Sequence, residues 1–281
     1  MNNLLSVDVE DWYHANALDI PISQWRTYES RVVGNTKRII ELFEKYEVKA
    51  TFFVLGCVAE QHPGLIKEIV SHGHEVASHG RYHQLVYTLT EEQFREDVRK
   101  SKAILEDITG KQVSLYRAPS WSIKLDQLNR LTILQEEGYL GDSSLQPFWT
   151  PLSGNNKSPM EPFYPIVNGE RLSLLEIPPT VINVAGLRLP FAGGFYLRFF
   201  PSFLVKQAMR LVNLQRKGLV YIHPWEFDVN MPRVEKSALV KFIHYYNIAS
   251  TETKLEKMLQ NFHFGPMNVC LEKTDYHSVR L

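Results

Sequence analysis

Apolar residues recur along the chain in two alternating patterns: short β-branched or aromatic runs, and longer stretches spaced three and four apart. Residues 4–9 (LLSVDV) read as a strand buried on both faces and ending in acids. Ile39, Ile40, Phe43 and Tyr46 follow at helical spacing, and residues 48–55 (VKATFFVL) read as a second buried strand closed by Gly56. Pro63 opens a helix bearing Leu65, Ile66, Ile69 and Val70, which Gly73 stops before a third strand at 75–78. Thr90 and Gln93 form a capping box on a helix over 91–109 with the stripe Phe94, Val98, Leu105 and Ile108, ended by Gly110. A strand at 113–116, a helix through Leu125, Leu128, Leu131 and Leu134, and a short strand at 139–140 continue the alternation.

Residues 146–168 break it, because Pro147, Pro151, Pro159, Pro162 and Pro165 exclude a regular element there, and a loop or insertion is expected. Beyond it, strands at 171–177 and 219–222 flank an amphipathic helix running from Pro201 through Leu204, Ala208 and Leu211. Two further helices from about residue 230 read as a C-terminal extension. Strands and helices alternating from end to end imply an α/β fold of parallel β/α units, a barrel in preference to a doubly wound sheet. In either fold, ligand sites gather at the carboxyl ends of the strands.

Four polar clusters fall at predicted strand ends: Asp8, Glu10 and Asp11; His79 and His83; Arg117 through Trp121; and His223 through Glu226. Asp8 lies inside an apolar run, where a buried carboxylate needs a cation or several donors. His79 and His83, four apart on the same rim as three acids, can grip one divalent metal, zinc first among several that such ligands accept. A carboxylate with two histidines leaves room for water, whose pKa falls toward neutrality on such a metal, and this describes a hydrolase. A second carboxylate then serves as general base, Arg117 holds it ionised, and His223 is the candidate general acid. His72 and His74 bracket Gly73 on the opposite rim and read as solvated turn residues; His14, His62, His244, His263 and His277 read as surface.

Charge and cysteine content narrow the class. With 31 Lys+Arg against 31 Asp+Glu there is no basic field for nucleic acid. Cys57 and Cys270 are too few for a disulfide framework and suit a reducing compartment. An acid at position 8 interrupts any leader-like apolar stretch, and no apolar run is long enough to span a bilayer. A cytoplasmic protein is expected, one that a partner could hold at the inner face of the membrane.

The ordered segments SVDVEDW, SHGRYH, RAPSWS, GYLGDSS and YIHPWE, between residues 6 and 226, resemble the motifs of the polysaccharide deacetylase family, carbohydrate esterase family 4. HPWE, EIPPT and GGFYLR resemble a branch associated with exopolysaccharide biosynthesis. The resemblance implies a distorted (β/α) barrel of about seven units, a single domain over residues 1–281, and metal-dependent removal of N-acetyl groups from hexosamine units of a glycan or lipid-linked sugar. It implies Asp8 as general base, Arg117 as its partner, His223 as general acid, the Ser120 N–H as oxyanion donor, and His79 and His83 as metal ligands. Asp8 is followed by Val9 rather than a second aspartate, so Glu10 and Asp11 are both candidate ligands, with strand alternation favouring Glu10. Trp12, Trp121 and Trp225 are candidates for stacking on sugar, or for packing the rim; Asp142 and Glu226 either orient a catalytic group or cap a turn. Phe191–Phe200 reads as a substrate wall, a subunit contact in a homo-oligomer, or a core strand and turn. Two rivals remain: hydrolysis of another amide, as in allantoinase-type members, and a non-catalytic carbohydrate-binding module, whose expected loss of base or acid is not seen.

Overall fold

The computed structural model of the chain describes residues 2–150, 152–273 and 275–281. Its elements run β1 (Asn3–Val9), α1 (Val32–Lys45), β2 (Thr51–Val54), α2 (Gly56–Gln61), α3 (Pro63–Ser71), β3 (Glu75–Ser78), α4 (Glu91–Thr109), β4 (Leu115–Tyr116), α5 (Asn129–Glu136) and β5 (Gly141–Asp142). They continue with β6 (Tyr164–Val167), β7 (Glu170–Arg171), β8 (Leu175–Glu176), β9 (Val181–Val184), β10 (Leu187–Pro190), α6 (Gly194–Phe199), α7 (Ser202–Asn213) and β11 (Leu219–Ile222). The last are α8 (Ala238–Tyr245), α9 (Thr251–Leu259), β12 (Phe264–Gly265) and β13 (Ser278–Arg280).

Seven parallel strands in the order β11-β1-β2-β3-β4-β5-β8 curl into a barrel, and among the described residues no ladder joins β8 to β11. This is the barrel expected from the alternation, distorted as the family resemblance implies. Side-chain parity sorts it into two cores. Leu5, Val7 and Val9 face outward with Phe52 and Val54, where Ile39, Phe43, Ile66, Phe94, Val98, Met209 and Val212 of the surrounding helices cover them. The opposite parity fills the lower interior with Leu4, Phe53, Ala77, Leu115, Leu175 and Leu219. Gly141 belongs to this interior layer, where a Cβ would stand 2.6 Å from the Leu115 side chain.

The same parity, carried one or two steps up each strand, delivers polar groups to the upper end. Leu4 leads to Ser6 and Asp8 on β1, Ala77 to His79 beyond β3, Leu115 to Arg117 beyond β4, and Leu219 to Tyr221 on β11 and His223 just beyond it. The register pairs Asp8 with Phe53 and Ser6 with Tyr221, so these chemically different residues share one cavity above an apolar floor.

Several boundaries differ from those read in the sequence. The strand expected at 139–140 forms two residues later, and the run 171–177 is split between β7 and β8. Within the proline-rich 146–168, β6 forms because β13 pairs with it in parallel and β7 in antiparallel sense, partners distant in sequence or weakly patterned. The C-terminal segment is not an appendage. β12 pairs with β1, Met267 N–H donates to Thr51 Oγ1 at 2.7 Å, and the Met267 side chain plugs the barrel floor with no exposed surface. Truncating this plug leaves a cavity the rigid floor cannot collapse, so Met267→Ala should lower unfolding free energy by about 2–5 kcal/mol. Met267→Leu, which conserves volume, should cost less than about 1.5 kcal/mol. Urea denaturation measures both, and equal stabilities would show that the floor is not packed as described.

Candidate active site

Above the floor, the buried Arg117 guanidinium organises the site. Its Nη1 donates to Asp8 Oδ1 at 2.5 Å and to Ser6 Oγ at 2.9 Å, while Nη2 donates to Ser143 Oγ at 3.2 Å. The guanidinium lies over the Phe53 ring at 4.1 Å. The carbonyl oxygen of the same residue accepts from His79 Nδ1–H at 2.8 Å, which turns the lone pair of Nε2 into the cavity.

Glu10, His79 and His83 each present a ligand atom within 4.8 Å of the others, and all three are buried. Burial alone would raise the Glu10 pKa, but His83, followed by His223 and His79, carries it well below the usual carboxylate range. Burial lowers His79 to about 4, so its imidazole is neutral. The Trp225 indole N–H fixes the other Glu10 oxygen at 2.9 Å.

The trio fits a divalent cation by its donor chemistry: one buried anionic oxygen and two imidazoles. His83 adds a second observation. Its Nε2 lies 2.7 Å from Glu10 Oε2 and its Nδ1 lies 3.2 Å from the Asn16 amide, which also contacts Ser120 Oγ at 3.0 Å. Rotating that amide by half a turn lets its oxygen accept from both His83 Nδ1–H and the Ser120 hydroxyl. Nδ1 then carries the proton, and Nε2 is the nitrogen a cation would take in place of the contact with Glu10 Oε2.

His223 faces the trio from β11, with Nε2 3.9 Å from Asp8 Oδ2 and 3.7 Å from Glu10 Oε1. Its backbone N–H and ring Nδ1–H both donate to Glu226 Oε2, at 3.0 and 2.9 Å, while Arg198 Nε donates to Glu226 Oε1 at 2.8 Å. Burial alone would lower His223, yet the hydrogen bond and charge of Glu226 lift it to about 9. Trp225 stacks between the rings of His223 and His244 at 5.0 and 4.4 Å.

Backbone strain clusters here. His83, Ser120 and Trp121 have φ of +51°, +52° and +52°, and Gly80 has +74° with a would-be Cβ 2.8 Å from Asp97 Oδ2. Ser120 lines the cleft, and no acceptor for its N–H appears among the hydrogen bonds of the described residues. The cleft has a volume near 580 Å³, and its walls include Trp121, Phe148, Phe195, Tyr196 and Trp225.

Other candidates lie elsewhere. Asp11 is turned from the trio, its carboxylate accepting the N–H groups of Trp12, Arg31 and Val32 at the head of α1. Trp12 is buried against Tyr13 and Tyr28, donating to the Glu29 carbonyl, and offers sugar no face. Asp142 sits below the cleft beside Glu176 and accepts from Ser144 Oγ at 2.5 Å. His14, His74 and His244 are buried rather than superficial. His14 Nδ1 accepts from Asp11 N–H, His74 Nδ1 accepts from Ala50 N–H, and His244 stacks on Trp225.

Residues 23–136 match the polysaccharide deacetylase family. Over this stretch the chain is similar to that family. A second family, described as a domain of unknown function (DUF3473), matches residues 143–272. A peptidoglycan deacetylase of Helicobacter pylori is 30% identical over 155 residues, 50% of this chain and 51% of its own. A peptidoglycan-N-acetylglucosamine deacetylase of Bacillus cereus is 32% identical over 97 residues, 34% of this chain and 35% of its own. The chain thus spans about half, or less, of the length of these curated relatives. Among solved structures, the Puue allantoinase superposes with a TM-score of 0.61 at 17% identity, covering 96% of this chain and 88% of that one, a likeness of fold. The family match holds His79, His83, Arg117 and Ser120, the second match holds His223, Glu226 and Arg198, and Asp8 and Glu10 precede both.

Sequence reasoning missed Asn16, Arg198, the half-exposed wall around Trp149, and α8, whose Leu239, Val240 and Ile243 line the cleft. Asn16 carries no pattern, and α8 reads only as an amphipathic helix. Asp142 Oδ2 and Glu176 Oε2 find no donor, and burial raises both groups, Asp142 to about 6, so the pair retains a proton that the unfolded chain has lost. Stability should therefore fall as pH rises from about 4 through 6 and beyond, as the native state is forced to release it. Glu176→Gln preserves size and should flatten this dependence. Urea unfolding at pH 5 and pH 8 measures it, and an unchanged slope would show that the two carboxyls are not coupled.

Proposed function

We propose that the protein is a divalent-metal-dependent hydrolase that removes N-acetyl groups from hexosamine units of a polysaccharide or its lipid-linked precursor. What carries this reading is the meeting, in one cleft, of a neutral-imidazole and carboxylate trio with a separately held carboxylate and a separately charged histidine. Glu10, His79 and His83 would hold the metal, zinc by preference, which would polarise the acetamide carbonyl and acidify water.

Asp8, fixed by Arg117, is the base that takes the proton from the attacking water. The Ser120 N–H, presented by a left-handed turn, would donate to the tetrahedral oxyanion, an interaction often worth ~3 kcal/mol. His223, kept protonated by Glu226, hands its proton to the departing amine. Trp121, already on the cleft wall, and the exposed Trp149 present aromatic surface to sugar faces, whereas Trp225 orients Glu10. The intact trio with His223 supports deacetylation over the hydrolysis of other amides, and direct attack by water would leave no side chain acylated.

Acetate release from N-acetylglucosamine oligomers and a lipid-linked N-acetylhexosamine, with and without chelator, tests the reading. Release that chelator abolishes is expected; release only from small amides such as allantoin would replace it. Asp8→Asn and His223→Ala should each lower kcat by ~10²–10⁴-fold with the circular dichroism spectrum retained. His79→Ala should also lose bound metal by elemental analysis. Wild-type turnover in either of the first two variants would remove that residue from its role.

A further inference from the structure

A helix side that faces water is ordinarily polar, and α7 inverts this. Its inner stripe, Val205, Met209 and Val212, packs on the sheet, yet Phe203, Leu204 and Leu211 lie on its solvent side, with Phe203 62% exposed. Lys206, Gln207 and Arg210 are interspersed among them. The apolar surface continues through α6 to α8: Phe199 lies 6.0 Å from Tyr246 and Phe195 lies 5.7 Å from Phe242. Leu239 of α8, 67% exposed, lines the mouth of the cleft.

Charge is as unevenly placed as polarity. Between Glu176 and Glu226 the sequence contains six cations and no acid, in a chain of zero net charge. Arg198 is engaged by Glu226, and Arg188 and Arg216 donate to backbone carbonyls. Lys206, Arg210 and Lys217 belong to no ion pair among the described residues, and on α8 Lys241 pairs with Glu235 at 3.1 Å.

We propose that α6, α7 and α8 form a docking face for an anionic lipid bilayer, which brings the cleft mouth down onto the membrane surface. Exposed Phe and Leu enter the headgroup boundary while Lys206 and Arg210 meet lipid phosphates, and no described helix is long and apolar enough to cross the membrane itself. A second copy is a poorer occupant. A twofold contact through this face would set uncompensated cations against their own counterparts, whereas anionic headgroups neutralise them. The docking stands independently of the deacetylase reading; its consequence, that the glycan is met while still anchored to lipid, rests on that reading.

Flotation of the full chain with phosphatidylglycerol or phosphatidylcholine vesicles tests the face. Binding is expected on the anionic vesicles, at least roughly tenfold weaker on the neutral ones and in about 0.5 M salt. The pairs Lys206→Glu with Arg210→Glu, and Phe203→Ser with Leu211→Ser, should each weaken it by roughly tenfold or more. Both should keep wild-type melting and acetate release from a water-soluble oligomer. Absence of binding, equal binding by the variants, or a concentration-dependent dimer in ultracentrifugation that Phe203→Ser with Leu211→Ser dissolves would each overturn the proposal. Flotation without acetate release would sink the deacetylase reading alone, and acetate release without flotation would sink the docking alone.

Discussion

A guanidinium placed wholly out of water at the centre of the barrel is the constraint on which the rest depends. Arg117 has no exposed surface, and a charge so placed is tolerable only with a fixed counter-charge and further acceptors. Asp8 supplies the first and the hydroxyls of Ser6 and Ser143 supply the others. Removing either member of such a pair typically costs about 3–5 kcal/mol, because the survivor is stranded. Through its side chain Arg117 holds Asp8, and through its carbonyl it sets the tautomer of His79. Two functions on two different strands are thus referred to one residue.

The upper barrel separates charges that would otherwise neutralise one another. Arg117 holds Asp8, Glu226 holds His223, and the histidines of the trio surround Glu10. Arg198 in turn holds Glu226 and also donates to the carbonyls of Ile243, His244 and Tyr246. It therefore ties the candidate proton donor to the helix that walls the cleft.

The strand and helix alternation was legible because each β/α unit repeats a strong local pattern, and the residues that meet in the cleft were legible because parity places them at strand ends. Glu10 and Asp11 could not be separated from spacing alone; whether the strand persists one residue further depends on pairing with β2, made of residues far away in sequence. Trp12 looked like a sugar platform because nothing local distinguishes a rim tryptophan from one covered by Tyr28. The burial of His14, His74 and His244 was equally invisible, since each is enclosed by other elements. The face of α7 was hidden for the opposite reason: the sequence pattern picked out Leu204, Ala208 and Leu211, whereas the stripe that packs on the sheet is Val205, Met209 and Val212, and nothing local shows which of two apolar sides turns inward.

Sheet order also imposes a sequence of assembly. β1 pairs with β2 nearby, but its other edge waits for β11, with Leu4 opposite Leu219, and its lower end waits for β12. Contacts of such separation form late, since a long loop must close before they contribute. Glu10, His79 and His83 all lie within the earlier units, so the ligand trio can come together before His223 and the floor plug arrive. The half-built barrel would then hold Glu10, His79 and His83 around an open, unroofed centre, so that any cation they take could be captured during folding rather than only after it.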